Sequence, residues 1–500
     1  MQNKYFFTTI FCFSTIFLFA QSKHSLCKAF KAFAADTAMR HASVGFVAQT
    51  AASGKIIYEN QADLLLTPAS NMKLVTTGAA LFMLGSSFKY KTALLVATNK
   101  NNTLVATNQN NTAENNEHNN TNHTIYINGV GDPTLGSKLC PVCPSADSIL
   151  FRWSSLLQNK NIKKIIVTEG AISDRPTEVI QIDDLPAPYG ATASGLNFDD
   201  NTNEISILPN SSEKNISSYV LNNDYNIKIN TDLLRYAPRK KSDYHVRLDY
   251  QTGALHFVGS FAADTLYEPV ALLQGGAQSL GGRLYRNLLA QKTKFIDNNI
   301  DSVLVVSPTK MPSALLSHTL QIDEIASPNL QTIITYCNQN SINLYAEALL
   351  KTLGLDTENR GDAETGINVV VNFWRKRGLD MSGLQMRDGS GMSARNKVTP
   401  RFMVAMLQNI YNDKSIYANF YSSLPIAAQS GTIKNWFTNT AAAGKIRAKT
   451  GSIGGVLSYS GYATARNGEQ IIFSLIVNNY AGEAKEMRQK MVNLLVKLCE

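Results

Sequence analysis

One uncharged stretch, Leu74-Val-Thr-Thr-Gly-Ala-Ala-Leu-Phe-Met-Leu84, does most to restrict the folds open to this chain. A helix that is apolar all round must be buried, and the residues leading into it are carried into the interior with it. Those residues are Thr67-Pro-Ala-Ser-Asn-Met-Lys73. Ser70 and Lys73 are three apart, which stacks them on one helix face. The helix start adds unpaired backbone N–H groups and partial positive charge beside the serine oxygen. A serine hydroxyl is a weak nucleophile until a base takes its proton, and a buried lysine with a lowered pKa can do that. The spacing alone decides nothing. Ser-x-x-Lys recurs at Ser25/Lys28, Ser86/Lys89, Ser211/Lys214 and Ser307/Lys310, but only the copy at Ser70 leads into a long apolar helix.

A chain of 500 residues is too long for one core and implies two to four domains. Its 44% hydrophobic and 17% charged residues describe a soluble globular protein. The net charge of +9 suits weak attraction to anionic envelope polymers. The basic residues are scattered, without an arginine–aromatic block, which makes nucleic acid an inferior partner. At the N-terminus Lys4 precedes the apolar run Tyr5–Ala20, which is short for a bilayer span and ends in a small residue. Residues 1–20 therefore read as an export signal, with an uncleaved anchor as the alternative. Removing them takes Cys12 and leaves Cys27, Cys140, Cys143, Cys337 and Cys499. Cys140-Pro-Val-Cys143 suits a local disulfide, free thiols or half of a zinc site, and no second pair with ligand spacing accompanies it.

Two strands around the turn Ala51–Gly54 precede the apolar helix, and Lys89–Ala97 reads as a strand after it. Residues 99–122 are crowded with Asn and Thr, too polar for a core. Strands at Thr124–Gly129 and Lys164–Thr168, with a helix over Ser145–Leu157, suggest an α+β region. Short alternating strands over about 202–260 suggest a small β module, closed by a helix over Leu280–Lys292. Helical spacing returns over Leu330–Leu353, Gly366–Arg377 and Thr399–Tyr411. Strands follow at Lys445–Lys449, Val456–Ala463 and Gln470–Val477, the last two joined by an Asn467-Gly468 hairpin turn, and Ala484–Leu498 reads as a terminal helix.

Two later triplets strengthen the opening signal. Ser341-Ile-Asn343 opens a helix, and Lys449-Thr-Gly451, followed by Ser452, closes a strand. Ser327-Pro-Asn329 repeats the first pattern, so neither triplet is decisive alone. In this order the three match the S-x-x-K, S-x-N, K-T-G set of penicillin-binding proteins and serine β-lactamases. The chain resembles the S13 peptidase family of D-alanyl-D-alanine carboxypeptidase/endopeptidases, the penicillin-binding protein 4 type. Gly131-Asp-Pro-Thr-Leu135, Asp388-Gly-Ser-Gly-Met-Ser393 and Arg447-Ala-Lys-Thr-Gly-Ser452 share the likeness, as does the long stretch between the first two triplets.

The resemblance implies an α+β fold: a serine β-lactamase/DD-peptidase-like domain, an antiparallel sheet flanked by helices, at 21–88 and 305–500. Inserted α+β and β domains would fill 89–304. It implies a periplasmic enzyme acting on peptidoglycan stem peptides, blocked covalently by β-lactams, with no cofactor or metal. Ser70 would attack the D-Ala-D-Ala carbonyl and form an acyl-enzyme. Lys73 would take its proton, its pKa lowered by burial and by Lys449. Ser341 would relay a proton to the leaving amine, and Asn343 would hold the substrate amide and Lys73. Lys449 and Thr450 would grip the terminal carboxylate. Gly451 would let the strand approach closely, because a side chain there would crowd the substrate, and the Ser70 and Ser452 N–H groups would hold the oxyanion. Asp388-Gly-Ser-Gly reads as a structural turn. Asp184-Leu-Pro-Ala-Pro-Tyr189 resembles an Asp-x4-aromatic element facing the family's active site, where carboxylate and ring suit the free ammonium of a diaminopimelate-type stem. A solvated acid and a packing tyrosine are the bland alternative.

Competing functions share parts of this pattern. A β-lactamase uses the same acylation, but no class A Glu-x-x-Leu-Asn element is present, and the large insertion favours a polymeric substrate. A Ser-His-Asp hydrolase would carry a Gly-x-Ser-x-Gly elbow, which is missing. A non-catalytic wall-binding protein would have no use for Ser70, Lys73, Asn343 and Lys449 together.

Overall fold

The computed structural model describes residues 25–98, 122–173, 185–209, 216–220, 228–237, 241–249, 251–262, 266–271, 276–293, 303–306 and 319–500. The expected export signal, nearly all of the Asn-rich segment and Asp184 lie outside them. Two units make up the chain: Met1–Ser87 with Leu330–Ala346 and Ile367–Glu500, and Phe88–Asn329 with Glu347–Gly366. The division falls later than the expected 304/305 boundary. Thr319–Ala326 pairs antiparallel with Lys91–Thr98 and so joins the sheet of the second unit.

In the first unit a five-stranded antiparallel sheet runs Ile446–Ile453, Val456–Thr464, Gln470–Asn478, Ser43–Thr50, Ile56–Asn60. Its hairpin turns carry Gly54 (φ +67°) and Gly468 (φ +84°), conformations that a side chain would strain. The sheet is covered on both faces, so Ser43–Thr50, Val456–Thr464 and Gln470–Asn478 are buried almost throughout. Phe46, Ala48, Tyr459 and Leu475 face a core shared with Phe30 and Met491. On the other face, Gln49 Nε2 donates to Gln408 Oε1 at 2.8 Å, and a Cβ on Gly45 would lie 2.5 Å from Pro400 Cγ. The helix Pro400–Asn412 therefore packs directly on the strands. A helix at 25–34, not anticipated from sequence, buries Leu26, Phe30 and Phe33 at helical spacing.

The apolar helix spans Met72–Leu84 and is buried over its first ten residues. Trp374 Nε1 donates to its Val75 carbonyl at 3.1 Å. The helical pattern over 330–353 is two helices, Leu330–Asn340 and Asn343–Glu358. They break at Ser341, whose φ is +60°. The Ile342 N–H bonds the Cys337 carbonyl at 3.2 Å, closing the first helix in the manner of a Schellman cap with serine at the left-handed position.

Ile446–Ile453 is an edge strand. Its outer side is covered at first, where Ala427 N donates to Ile446 O at 2.9 Å and Ala448 N to Pro425 O at 3.1 Å. Lys449-Thr-Gly451 does not close this strand as expected. Pairing with the neighbouring strand continues to Ile453↔Val456, so the triplet lies inside the edge.

The second unit holds a mixed sheet ordered Val303–Val306, Asn161–Thr168, Asn122–Asn128, Lys91–Thr98, Thr319–Ala326. Helices Ala146–Leu157 and Gly276–Ala290 share a core with it through Trp153, Ile165 and Leu284. Two three-stranded sheets form the β module around Ile205, Phe257, Phe261 and Val270. The module reaches past residue 260 because Leu266–Ala271 pairs with Thr202–Pro209. Cys140 and Cys143 form a disulfide, while Cys27, Cys337 and Cys499 are not disulfide-bonded. Among the described residues no helix is long and apolar enough to cross a membrane.

Candidate active site

Ser70 sits in a short 3₁₀ turn, Ala69–Asn71, which runs straight into the helix Met72–Leu84. The expected position was the first α-helical turn, and the difference comes from anchoring. Ala69 has φ +47°, and the residues around it are bonded to the sheet. Ser458 Oγ donates to Pro68 O at 2.6 Å, and Asn71 Nδ2 to Ser460 Oγ at 2.8 Å. Asn478 accepts from Thr67 N at 2.8 Å and donates back to Thr67 O at 3.1 Å. Asn71 thus spends its amide on the sheet and leaves the helix start without a side-chain cap. The Ser70 turn is held by neighbouring strands and not by its own sequence.

Lys73 is fully buried. Its Nζ donates to Ser70 Oγ at 3.0 Å, to Asn343 Oδ1 at 2.6 Å and to the Ser390 carbonyl at 2.7 Å. By contrast, Lys28 and Lys89, in the other described Ser-x-x-Lys copies, are exposed. Lys449 is also fully buried, and its Nζ donates to Ser341 Oγ at 2.9 Å and to Thr450 O at 2.7 Å. The triplet Ser341-Ile-Asn343 therefore joins the two lysines, its serine receiving one and its asparagine the other. The three sequence motifs form one cluster. Burial first, and the charge of Lys73 second, hold the Lys449 ammonium well below its ordinary pKa.

Gly451 has a different reason from the expected one. A Cβ there would lie 2.4 Å from Pro68 O and 2.3 Å from Ser458 Oγ, so the missing side chain lets the edge strand approach the Ser70 turn. Thr450 is buried and its hydroxyl bonds the Thr432 hydroxyl at 2.8 Å, whereas Ser452 is exposed. Tyr189 is exposed in the turn Pro188–Gly190 of the second unit. Among the described residues no group of three or more His, Cys, Asp or Glu could hold a metal ion.

Sequence reasoning missed two parts of the cluster. One is Thr432, which no motif marks. The other is the Asp388–Ser393 loop, noticed as a turn but placed against Lys73. Burial pushes the Asp388 carboxyl up, against the pull of the N–H groups of Ser393 and Gly391. A backbone carbonyl such as that of Ser390 leaves no residue-type signal.

With the cluster defined, comparison with known proteins fixes the family. The sequence profile of the D-Ala-D-Ala carboxypeptidase 3 (S13) family matches residues 26–498. The chain belongs to that family. Its members are serine-type hydrolases. This S13 chain is 26% identical to the D-alanyl-D-alanine carboxypeptidase of Actinomadura sp. (strain R39), across 90% of this chain and 80% of that protein. It is 21% identical to the D-alanyl-D-alanine carboxypeptidase DacB of Haemophilus influenzae, across 91% of this chain and 89% of that one. The crystal structure of penicillin binding protein 4 (dacB) from Haemophilus influenzae superposes with a TM-score of 0.72 at 19% identity. That likeness covers 91% of this chain and 97% of the other, and it establishes the shared fold.

Proposed function

We propose that this S13 enzyme is a periplasmic serine DD-peptidase of peptidoglycan, acting through an acyl-enzyme on Ser70. It would remove terminal D-Ala from stem peptides, cleave D-Ala cross-links, or both. The observation that carries the reading is the buried amine of Lys73 at 3.0 Å from the Ser70 hydroxyl, in one cluster with Lys449.

Lys73 accepts the Ser70 proton as the hydroxyl attacks the D-Ala carbonyl. A positioned general base contributes roughly 10²–10⁴-fold. Ser341, on Lys449, passes a proton to the leaving amine, and Asn343 orients Lys73 and the substrate amide. Lys449 and Thr450 receive the terminal carboxylate, whose charge offsets the cost of keeping the lysine ionised. The oxyanion lies between the N–H groups of Ser70 and Ser452. Ladder alternation supports the second donor, because Ser452 shares its parity with Ala448, whose N–H points outward to Pro425 O. Losing one such donor costs about 3–4 kcal/mol of barrier. Asp184 and Tyr189 are proposed to recognise the free ammonium of a diaminopimelate-type stem, and an unchanged stem preference in Asp184→Ala would refute that role.

Covalent labelling by a fluorescent penicillin is expected for wild type and absent in Ser70→Ala. Labelling of both, or of neither, would overturn the acyl-enzyme. Mass spectrometry of peptidoglycan before and after incubation then separates loss of terminal alanine from loss of cross-links. Turnover of the β-lactam instead of the peptide would make the protein a β-lactamase.

A further inference from the structure

The Asp388–Ser393 loop touches the proposed general base without being one of the three motifs. An ammonium carries three N–H donors, and after giving up one proton it retains two and a lone pair. Of the groups around the Lys73 nitrogen, Asn343 Oδ1 at 2.6 Å and Ser390 O at 2.7 Å can only accept, whereas the Ser70 hydroxyl at 3.0 Å can accept or donate. When the amine is neutral its two hydrogens satisfy the two obligate acceptors, which turns the lone pair toward Ser70. Take away the Ser390 carbonyl and the amine can rotate and donate to Ser70, the unproductive orientation.

The loop is built to hold that carbonyl still. The Asp388 carboxylate accepts from Gly391 N at 2.6 Å, Ser393 N at 2.6 Å and Asn396 Nδ2 at 2.9 Å. Gly391, at φ +83°, lies so close to the nucleophile turn that a Cβ would sit 1.9 Å from Ala69 O. One residue before Ser390, the Gly389 carbonyl accepts from Thr76 Oγ1 at 2.8 Å. Thr76 is buried and follows Lys73 by three residues on the same helix, so it lies on the same face. The nucleophile helix thus grips two consecutive carbonyls of the loop, one through Thr76 and one through Lys73. Among the described groups, Asp388 and Lys449 each interact electrostatically with Lys73.

We propose that the Asp388–Ser393 loop sets the direction of the Lys73 lone pair, and that Thr76 is the positioning residue tying the loop to the nucleophile helix. The inference rests on Ser70 and Lys73 acting as proposed above. Rapid-mixing kinetics with a chromogenic β-lactam test it, reading the affinity of the pre-acylation complex and the acylation rate constant separately. Thr76→Val is expected to slow acylation about tenfold, a barrier change of about 1.4 kcal/mol, with affinity changed less than about twofold. Thr76→Ser, which restores the hydroxyl, is expected to recover the wild-type rate. A merely structural threonine would lower thermal stability and leave the rate per labelled site alone. Acylation of Thr76→Val at the wild-type rate, or failure of serine to restore it, overturns the proposal. Should the valine variant not fold, Thr76→Ala is held to the same two results. Absence of acylation in the wild type would instead refute the Ser70 reading itself.

Discussion

Replacing Lys449 with methionine should make the protein more stable while removing its activity. The side chain is fully buried, with its ammonium bonded to Ser341 Oγ and Thr450 O. Hydrogen bonds from a charged donor such as these contribute about 1.5–3 kcal/mol each. Against them stands the desolvation of a buried ammonium, still several kcal/mol after relaxation. The lowered pKa of Lys449 means that desolvation outweighs its contacts, and methionine fills a similar volume with no charge, so the balance favours Lys449→Met by about 1–3 kcal/mol at neutral pH. For a unit of this size that raises the thermal midpoint by about 2–10 °C. The sign of the pH dependence is fixed too. An unfolded lysine holds its proton to about 10.5, whereas burial and Lys73 make folded Lys449 release it well below that. Between those values the unfolded state binds more protons, so wild-type stability rises with pH and the variant's does not. The advantage of Lys449→Met should therefore shrink as pH rises toward about 10. Thermal melts of both proteins between pH 7 and pH 10 measure it, alongside turnover of a D-Ala-terminated peptide. A variant less stable than wild type at pH 7, or a gap that widens with pH, would refute the reasoning.

Other expectations follow from neighbouring contacts. Gly451→Ala should cost about 1–3 kcal/mol by overpacking and displace the Pro68–Ala69 turn, slowing penicillin labelling; chemical denaturation and labelling together check it. Thr432→Val leaves the Thr450 hydroxyl without its 2.8 Å partner and should raise KM for a carboxylate-terminated peptide several-fold, with kcat within about twofold and serine restoring it. Asp132, buried and pushed up to about 6, carries a cost that is full above that pH and gone below the unfolded value near 3.8. Asp132→Asn should accordingly raise the melting point at pH 8 by an amount that fades toward pH 4, and a constant difference would contradict the assignment.

The candidate catalytic side chains were legible because their types and order are restrictive. Ser70, Lys73, Ser341, Asn343 and Lys449 could be named from the order of three motifs and the family resemblance it carries, and the structure brings them into one cluster. Geometry supplied through the backbone was not legible. The Ser390 carbonyl has no residue signature, and nothing in a serine's identity announces the left-handed conformation of Ser341. Gly451 was recognised as a close approach, but the approaching group, Pro68, is almost four hundred positions away and only the register of the sheet reveals it. Among the elements, Lys414–Ser423 went unseen because it is short, polar and separated from the preceding helix by Asp413 alone. Thr319–Ala326 was assigned to the wrong side of a boundary because strand pairing over two hundred residues leaves no local trace.

The partly covered rim of the sheet has a consequence for what the protein can take in. Pro425–Ala427 seals the first half of Ile446–Ile453 and stops where Lys449 begins. A guest that docks along the remaining half must arrive straight, as an added strand, so a peptide locked in a tight coil is refused whatever its last two residues are. On the proposed function, a D-Ala-D-Ala peptide cyclised through its side chains, with its terminal carboxylate left free, should go uncut at concentrations where its linear twin is consumed.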